Sequence, residues 1–287
     1  MRITHMKKIK KEDYHKITNL FMRQNWLINK QDELLDLVDF CEKKESKDLV
    51  FSLLDRFNYL NNETLLVLLN SICEYIIDTA KFKAEQTQLL AMTWDDEADS
   101  GQKVLDLIKM PLFQKEWKGF KTVNRIGKSG KYVKKGRTQI VLIDEFIGSG
   151  QTLRGRIDYL KKNIPDDFEI IACFIAGTKE TVEKLEKEGI NVFCALQLDK
   201  GISEFYKNDD LDKAEDLMLD LELKLAQWIN KKELYKYSFG YGNAEALYTM
   251  EGCNGNTPNS VFPVFWWLFD IKEKKRRTLL TRYETGF

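Results

Sequence analysis

Between residues 11 and 81 apolar residues recur at three- and four-residue intervals. They are Ile17, Leu20, Phe21 and Leu27, then Leu34, Leu35, Leu37 and Val38, then Val50, Leu53, Leu54 and Phe57, then Leu65 through Ile77. One face of an α-helix repeats at that spacing, so this region is expected to be all helix, in four pieces. Ser46, followed by Lys47-Asp48, and Asn61-Asn62, followed by Glu63, carry short polar side chains that accept from orphan N–H groups at helix starts. They are expected to punctuate the four helices.

Near Gln88 the pattern changes. Leu89-Leu90-Ala91-Met92-Thr93-Trp94 is short, apolar and bounded by Asp95-Asp96-Glu97, which reads as a strand followed by a loop. Then come a helix over 100–110, a strand over 120–125, a Gly/Lys-rich loop over 127–137 and a strand over 139–143. A helix over 152–163, a strand over 169–175, a helix over 179–188 and a strand over 191–196 complete the alternation. Elements alternating at this length give a mainly parallel sheet with helices packed on its faces. The expected fold is α/β, with a helical N-terminal addition over 1–84 and the sheet domain over 85–287. A further amphipathic helix is expected over 212–230. The stretch 237–267, rich in Gly, Asn and aromatics without a period, reads as ordered loop.

A chain of 287 residues can bury a full core as one large domain or two modest ones. Its 45 basic and 45 acidic residues balance, so no global field draws it to nucleic acid or a membrane, and any such contact must be local. The basic run from Lys272 to Arg277 reads as a solvated face. Apolar runs such as Leu65 to Leu69 and Val261 to Leu268 are far shorter than the roughly 18–20 residues that span a bilayer. Met1-Arg2-Ile3-Thr4-His5-Met6-Lys7-Lys8 has no apolar stretch behind it, unlike a signal peptide, so a soluble, cytoplasmic protein with no membrane contact is expected. Cys41, Cys73, Cys173, Cys194 and Cys253 are odd in number and never spaced Cys-x-x-Cys, which disfavours a disulfide framework or zinc site and suits small core residues. The only histidines, His5 and His15, lie over a hundred residues before the strongest motif, which weighs against histidine-centred catalysis.

That motif begins with a buried strand, Ile140-Val141-Leu142-Ile143, delivering Asp144-Glu145 at its C-terminal edge, where α/β sheets bind ligands. After Phe146-Ile147 comes Gly148-Ser149-Gly150-Gln151-Thr152, opening the helix Leu153-Arg154-Gly155-Arg156-Ile157. Glycines allow a tight turn whose successive N–H groups converge, and the helix N-terminus adds positive partial charge, so a phosphate fits. The Ser149 and Thr152 hydroxyls can donate to it. Asp144 and Glu145 are placed to accept from two vicinal ribose hydroxyls or to hold a magnesium shell.

Four apolar residues followed by Asp-Glu-Phe-Ile-Gly-Ser-Gly-Gln-Thr resemble the PRPP-binding signature of type I phosphoribosyltransferases (PRTases): paired acids, then a Thr/Gly-rich phosphate loop ending in Thr or Ser. The resemblance implies that Gly148 to Thr152 wrap the 5-phosphate, with Asp144 and Glu145 beside the ribose. Two other readings of these residues exist. Val-Leu-Ile-Asp-Glu also matches a Walker B strand and Gly127-Lys128-Ser129 the end of a Walker A loop, but Thr122 stands where that loop needs glycine, and Ser129 lies too near Ile140 for an intervening helix and strand. A Gly-rich turn of purely structural role is the other.

The flexible basic stretch from Gly127 to Arg137 resembles the mobile hood of orotate-type enzymes, which implies that Lys128 and Lys131 neutralise departing pyrophosphate; a solvated hairpin with incidental lysines is its alternative. After the first strand, Trp94 to Gly101 stands where the family binds pyrophosphate through backbone N–H groups, a role that suits Ser100 and Gly101. Asp95, Asp96, Glu97 and Asp99 depart from that pattern, since carboxylates repel a diphosphate unless metal intervenes; Asp95 and Asp96 are thus candidate magnesium ligands beside Asp144 and Glu145. Thr257-Pro258-Asn259 before Pro263-Val264-Phe265-Trp266, with the Ala98-Asp99-Ser100-Gly101 helix start and the helical N-terminal part, resembles PRTase-like proteins of bacterial anti-phage conflict systems, including retron effectors. That resemblance implies a toxin-like defence effector held in check by a reverse transcriptase with its DNA product, or a similar nucleoprotein. Asn256, Asn259 and Tyr241 are placed to read a base, while Phe265, Trp266 and Trp267 suit core packing.

The expectation is a magnesium-dependent PRTase-like enzyme acting at C1 of a ribose 5-phosphate, in PRPP or a nucleotide, with a homodimer as a candidate assembly. A catalytically silent nucleotide sensor is the alternative. A scaffold worked by the N-terminal helices is a third reading.

Overall fold

The structure, a computed structural model, describes residues 10–94, 100–250 and 256–282. Four α-helices fill the N-terminal region as expected: α1 (Lys11–Arg23), α2 (Gln31–Cys41), α3 (Lys44–Asp55) and α4 (Asn62–Glu74). Asn61 caps α4, its side-chain oxygen accepting from Thr64 N at 2.8 Å. Ser46 is not a cap. The helix α3 starts two residues earlier, at Lys44, and Ser46 is buried in its first turn. Nor is the region all helix, because Asn58–Leu60 forms a short strand, β1, whose parallel partner is the distant segment Tyr248–Met250. A strand made by so remote a partner leaves no local period in the sequence.

Five parallel strands follow: β2 (Thr87–Ala91), β3 (Lys121–Val123), β4 (Gln139–Ile147), β5 (Glu169–Thr178) and β6 (Val192–Leu198), in the order β3-β2-β4-β5-β6. Helices α5 (Ser100–Leu107), α6 (Lys109–Gln114), α7 (Ser129–Val133), α8 (Gln151–Asn163) and α9 (Lys179–Lys187) connect them. Ile140 to Ile143 are fully buried because both faces of β4 are covered, as a parallel sheet requires. On one face Leu153, Ile157 and Leu160 of α8 pack on Ile140, Leu142 and Phe174. On the other, Leu69 and Ile72 of α4 join Val104 and Ile108 against Val141, Ile143 and Cys173.

A separate core joins α1, α2 and α3 to α10 (Asp209–Glu222) and to Phe262, Phe265, Trp266 and Trp267. The three aromatics expected to be core residues are indeed buried, and the two indoles donate to Val261 O and Ala226 O, each at 2.8 Å. The helix expected to reach residue 230 stops at Glu222. Beyond it Leu225 bridges Asp270, Ala226 N donates to Phe269 O, and a hairpin of β7 (Trp228–Ile229) and β8 (Lys232–Glu233) follows, so the tail has captured the backbone. The segment paired with β1 is β9 (Tyr248–Met250).

The expected flexible loop over 127–137 is also corrected. Ile126–Lys128 forms a 3-10 turn running into α7, and the buried Ser129 hydroxyl donates to Gln88 Oε1 at 2.9 Å. The Arg137 guanidinium donates to the carbonyls of Ala84, Thr87 and Gly119. These ties anchor the segment at both ends. Cys41, Cys73, Cys173 and Cys194 are buried free thiols, as expected, and burial raises their pKa values; Cys253 lies outside the described residues. Among those residues no helix is long and apolar enough to cross a membrane.

Candidate phosphate and ribose site

The strand β4 runs on to Ile147, two ladder pairs past Asp144, with Phe146 opposite Ala176 and Ile147 opposite Gly177. The chain then turns through Gly148-Ser149-Gly150 into α8, and Gly150 occupies the left-handed region at φ +71° with no side-chain cap on the helix. Two successive carbonyls in this turn are pinned. The Thr178 hydroxyl donates to Gly148 O at 3.2 Å, the Thr181 hydroxyl donates to the same oxygen, and Arg154 Nη1 donates to Ser149 O at 3.1 Å. Glu188 holds Arg154 in place through two bonds of 2.7 and 2.9 Å. A trans peptide sets its C=O and the following N–H on opposite sides, so these anchors turn the Ser149 and Gly150 N–H groups the other way. No described residue accepts from the N–H groups of Ser149, Gly150 or Thr152. Converging free donors at the positive end of a helix bind an anion.

The two carboxylates beside this loop have different surroundings. Asp144 is half-buried and takes a 2.6 Å hydrogen bond from the Ser100 hydroxyl at the start of α5, and a 2.7 Å bond from Glu145 N. Glu145 is 4% exposed. Burial, and secondarily the charge of Asp144, push its carboxyl up to about 8, with Lys103 the largest opposing influence. The Tyr248 hydroxyl of β9 lies near enough to draw that value down, yet Glu145 Oε1 and Tyr248 Oη are both buried without closing a hydrogen bond of normal geometry. Near neutral pH that shift favours the neutral acid at Glu145, beneath the half-buried Asp144 at the site's edge.

Gln151 and Thr152 are exposed at the helix start, Ser149 is half-buried, and Gly101 is buried under Ser100. Ser100 thus meets the motif as a partner of Asp144. Asp95 and Asp96 lie outside the described residues. Lys131 is not brought to the loop: its neighbour Gly130 contacts Ile164 at the far end of α8, roughly 20 Å from the loop by helical rise. Lys128 is exposed beside Gly127, which faces the Tyr159 hydroxyl about two turns along α8. The tail, in contrast, reaches the loop. Tyr241 N donates to Asn259 O at 2.9 Å, and Gly242 approaches Ser149 so closely that an added Cβ would sit 3.1 Å from its Cβ. Asn256 and Asn259 are half-buried, and Tyr241 is 39% exposed.

Several residues escaped the sequence reading. Arg154 and Arg156 sit in the helix right after the motif, but only the fold shows that Arg156 Nε donates to Met92 O at 2.8 Å and stacks its guanidinium on Trp94. Thr178, Thr181, Tyr248 and Ser260 come from distant segments and carry no local signal.

Comparison with known proteins fits this geometry. The family PRTase-CE matches residues 24–282, nearly the whole chain. The chain belongs to the PRTase-CE family. Its five-stranded parallel sheet flanked by helices is an α/β fold, as expected. Solved structures resembling this PRTase-CE member include an orotate phosphoribosyltransferase from Aeropyrum pernix, at 13% identity and a TM-score of 0.30, over 46% of this chain and 70% of that one. Another is a hypothetical protein from Neisseria gonorrhoeae with bound ppGpp, at 12% identity and a TM-score of 0.37, over 56% of this chain and 94% of that one. Comparison with curated proteins gave no match.

Proposed function

We propose that the chain binds PRPP or a nucleotide by its ribose 5-phosphate group and catalyses bond exchange at C1 of that ribose. The free N–H donors of Ser149, Gly150 and Thr152, the first two fixed by carbonyl anchors on their opposite side, carry this reading. They hold the phosphate. Asp144, oriented by Ser100, accepts from a ribose hydroxyl and stands near the positive charge that grows on the sugar as the C1 bond lengthens. Such a step depends on positioning and electrostatics, which suits a site without histidine. With Lys131 distant, charge on the leaving group falls to cations nearer Asp144, and Lys103 on α5 is close enough to act on Glu145.

Magnesium fits the carboxylate chemistry of this site. Asp144, at the edge of the loop, would help hold the ion together with the substrate's own oxygens. When bound, it would neutralise phosphate charge.

The burial of Glu145 favours a silent sensor, because burial favours its neutral form and so leaves the ribose one carboxylate instead of two. Calorimetric titration with PRPP, ribose 5-phosphate and nucleoside monophosphates, with and without magnesium, followed by product analysis, separates the readings. Asp144→Ala should weaken PRPP binding by roughly tenfold to a hundredfold, as loss of a charged hydrogen-bond partner does. Equal binding by that variant refutes the site assignment. Release of base, pyrophosphate or ribose phosphate supports the enzyme, and unchanged ligand after long incubation supports the sensor. The role of a defence effector with a nucleoprotein partner rests on the sequence resemblance; Asp144→Ala should then abolish protection of cells challenged with phage.

A further inference from the structure

The phosphate loop lacks a side chain at Gly148, and the tail fills that place. A Cβ built on Gly148 would fall 2.5 Å from Ser260 Oγ and 3.5 Å from Ser260 Cβ. Ser260 is 4% exposed, yet its hydroxyl makes no hydrogen bond to any described residue. Unlike Glu145 Oε1 and Tyr248 Oη, the Ser260 oxygen is not sealed from solvent, so a ligand at the loop of free N–H donors can reach it. Its position is held from both sides. Ser260 O accepts from Ala246 N at 3.0 Å, and Gly240 lies against the Ser260 backbone too closely for any side chain. Buried Glu222 secures the preceding turn, accepting from the Ser238 hydroxyl and from Phe239 N at 3.0 Å. Buried Glu245 ties the following residues to Ile202 N and Ser203 N at 2.7 and 2.8 Å.

We propose that Ser260 is a phosphate-binding residue, its hydroxyl donating to the 5-phosphate from the place where position 148 carries no side chain. The assignment rests on the reading of the loop as a ribose 5-phosphate site. It makes the cradle a composite of β4, α8 and the C-terminal tail, with Ser149, Thr152 and Ser260 each supplying a hydroxyl.

The geometry also prescribes a transplant. In wild type, Gly148→Ser collides with Ser260 Oγ, whereas in a Ser260→Ala background the clashing oxygen is gone and the new Cβ lies 3.5 Å from the Cβ of residue 260 and 3.8 Å from Phe146 Cε1. The full chain and three variants, Ser260→Ala, Gly148→Ser and the double variant, would be titrated calorimetrically with ribose 5-phosphate and with PRPP, after their melting temperatures are compared. Ser260→Ala should bind both ligands roughly tenfold more weakly, the size of one hydrogen bond to a charged group. Gly148→Ser should lose more than that, and the double variant should recover most of the affinity, which a purely structural Ser260 would not produce. Wild-type affinity in Ser260→Ala, or a double variant no better than Gly148→Ser, overturns the assignment. Failure of wild type to bind either ligand refutes the site reading itself, a distinct result.

Discussion

Replacing Glu145 by glutamine should remove much of the fall in stability between pH 5 and pH 8. The wild-type carboxyl is displaced from 4.5 to about 8, first by burial and then by the charge of Asp144. Between those values the unfolded chain has lost this proton while the folded chain keeps it, so each rise in pH favours unfolding. Linkage sets the slope at ~1.4 kcal/mol per pH unit. Below 4.5 both states are protonated and above 8 both are ionised, so the loss is confined to the interval. Its total is roughly 5 kcal/mol as an upper figure, a large share of the stability of an ordinary domain. Glu222, raised by burial to about 7, adds a loss of the same sign up to that pH, and it remains in the variant. The comparison of wild type with Glu145→Gln therefore isolates Glu145. Urea unfolding followed by tryptophan fluorescence at pH 5, 6, 7 and 8 measures it, stopping below the range where unfolded thiols ionise. Glutamine should match wild type at pH 5 more closely than at pH 8, where it should be the more stable protein. If the two curves run parallel across the interval, Glu145 is ionised in the fold, and the picture of one working carboxylate at the site is wrong.

Gly150→Ala should destabilise the chain by about 1–2 kcal/mol, because its φ of +71° places a Cβ in the left-handed region and 3.0 Å from Arg154 Nη1. Displacing that guanidinium frees Ser149 O, so PRPP affinity should fall as well; an unchanged melting temperature and affinity would contradict the anchoring role. Deleting residues 1–86 should give a chain that does not fold, since α4 covers one sheet face and α1 to α3 cover the aromatic core of the tail. Cooperative unfolding of the truncated chain by circular dichroism would show that the sheet stands without them.

How much was legible in the sequence followed from how local each determinant is. The strand Ile140 to Ile143 and the loop Gly148 to Thr152 could be read because a buried parallel strand and a glycine turn before a helix leave marks on consecutive residues. Asn61 was readable as a cap for the same reason, whereas Ser46 has the same side-chain chemistry but falls inside α3, whose start is set by packing. The lysine-rich segment looked like a loop because Gly127, Gly130 and Gly136 suggested mobility. What decides its state is the Ser129 hydroxyl on Gln88 and the Arg137 guanidinium on three carbonyls, none of them visible in composition. The strand β1 and the end of α10 were misread because their partners, Tyr248–Met250 and the residues around Phe269 and Asp270, lie far along the chain.

The same distinction bears on how the site works. A phosphate loop built wholly from local residues can form as soon as β4 and α8 meet. Here Gly148 leaves its side-chain place to Ser260, and Gly242 closes on Ser149, so the cradle is complete only when the tail has folded back. The tail folds back on a second core made with α1, α2 and α3, and its β9 is paired to β1 between α3 and α4. Each contact couples ligand affinity to the packing of the N-terminal helices. A ligand that binds the assembled cradle stabilises that packing by mass action, and whatever loosens the helices weakens the cradle by the same free energy. The helical addition is therefore a structural condition of the proposed phosphate site, and loosening those helices should weaken ligand binding without any contact to the ligand.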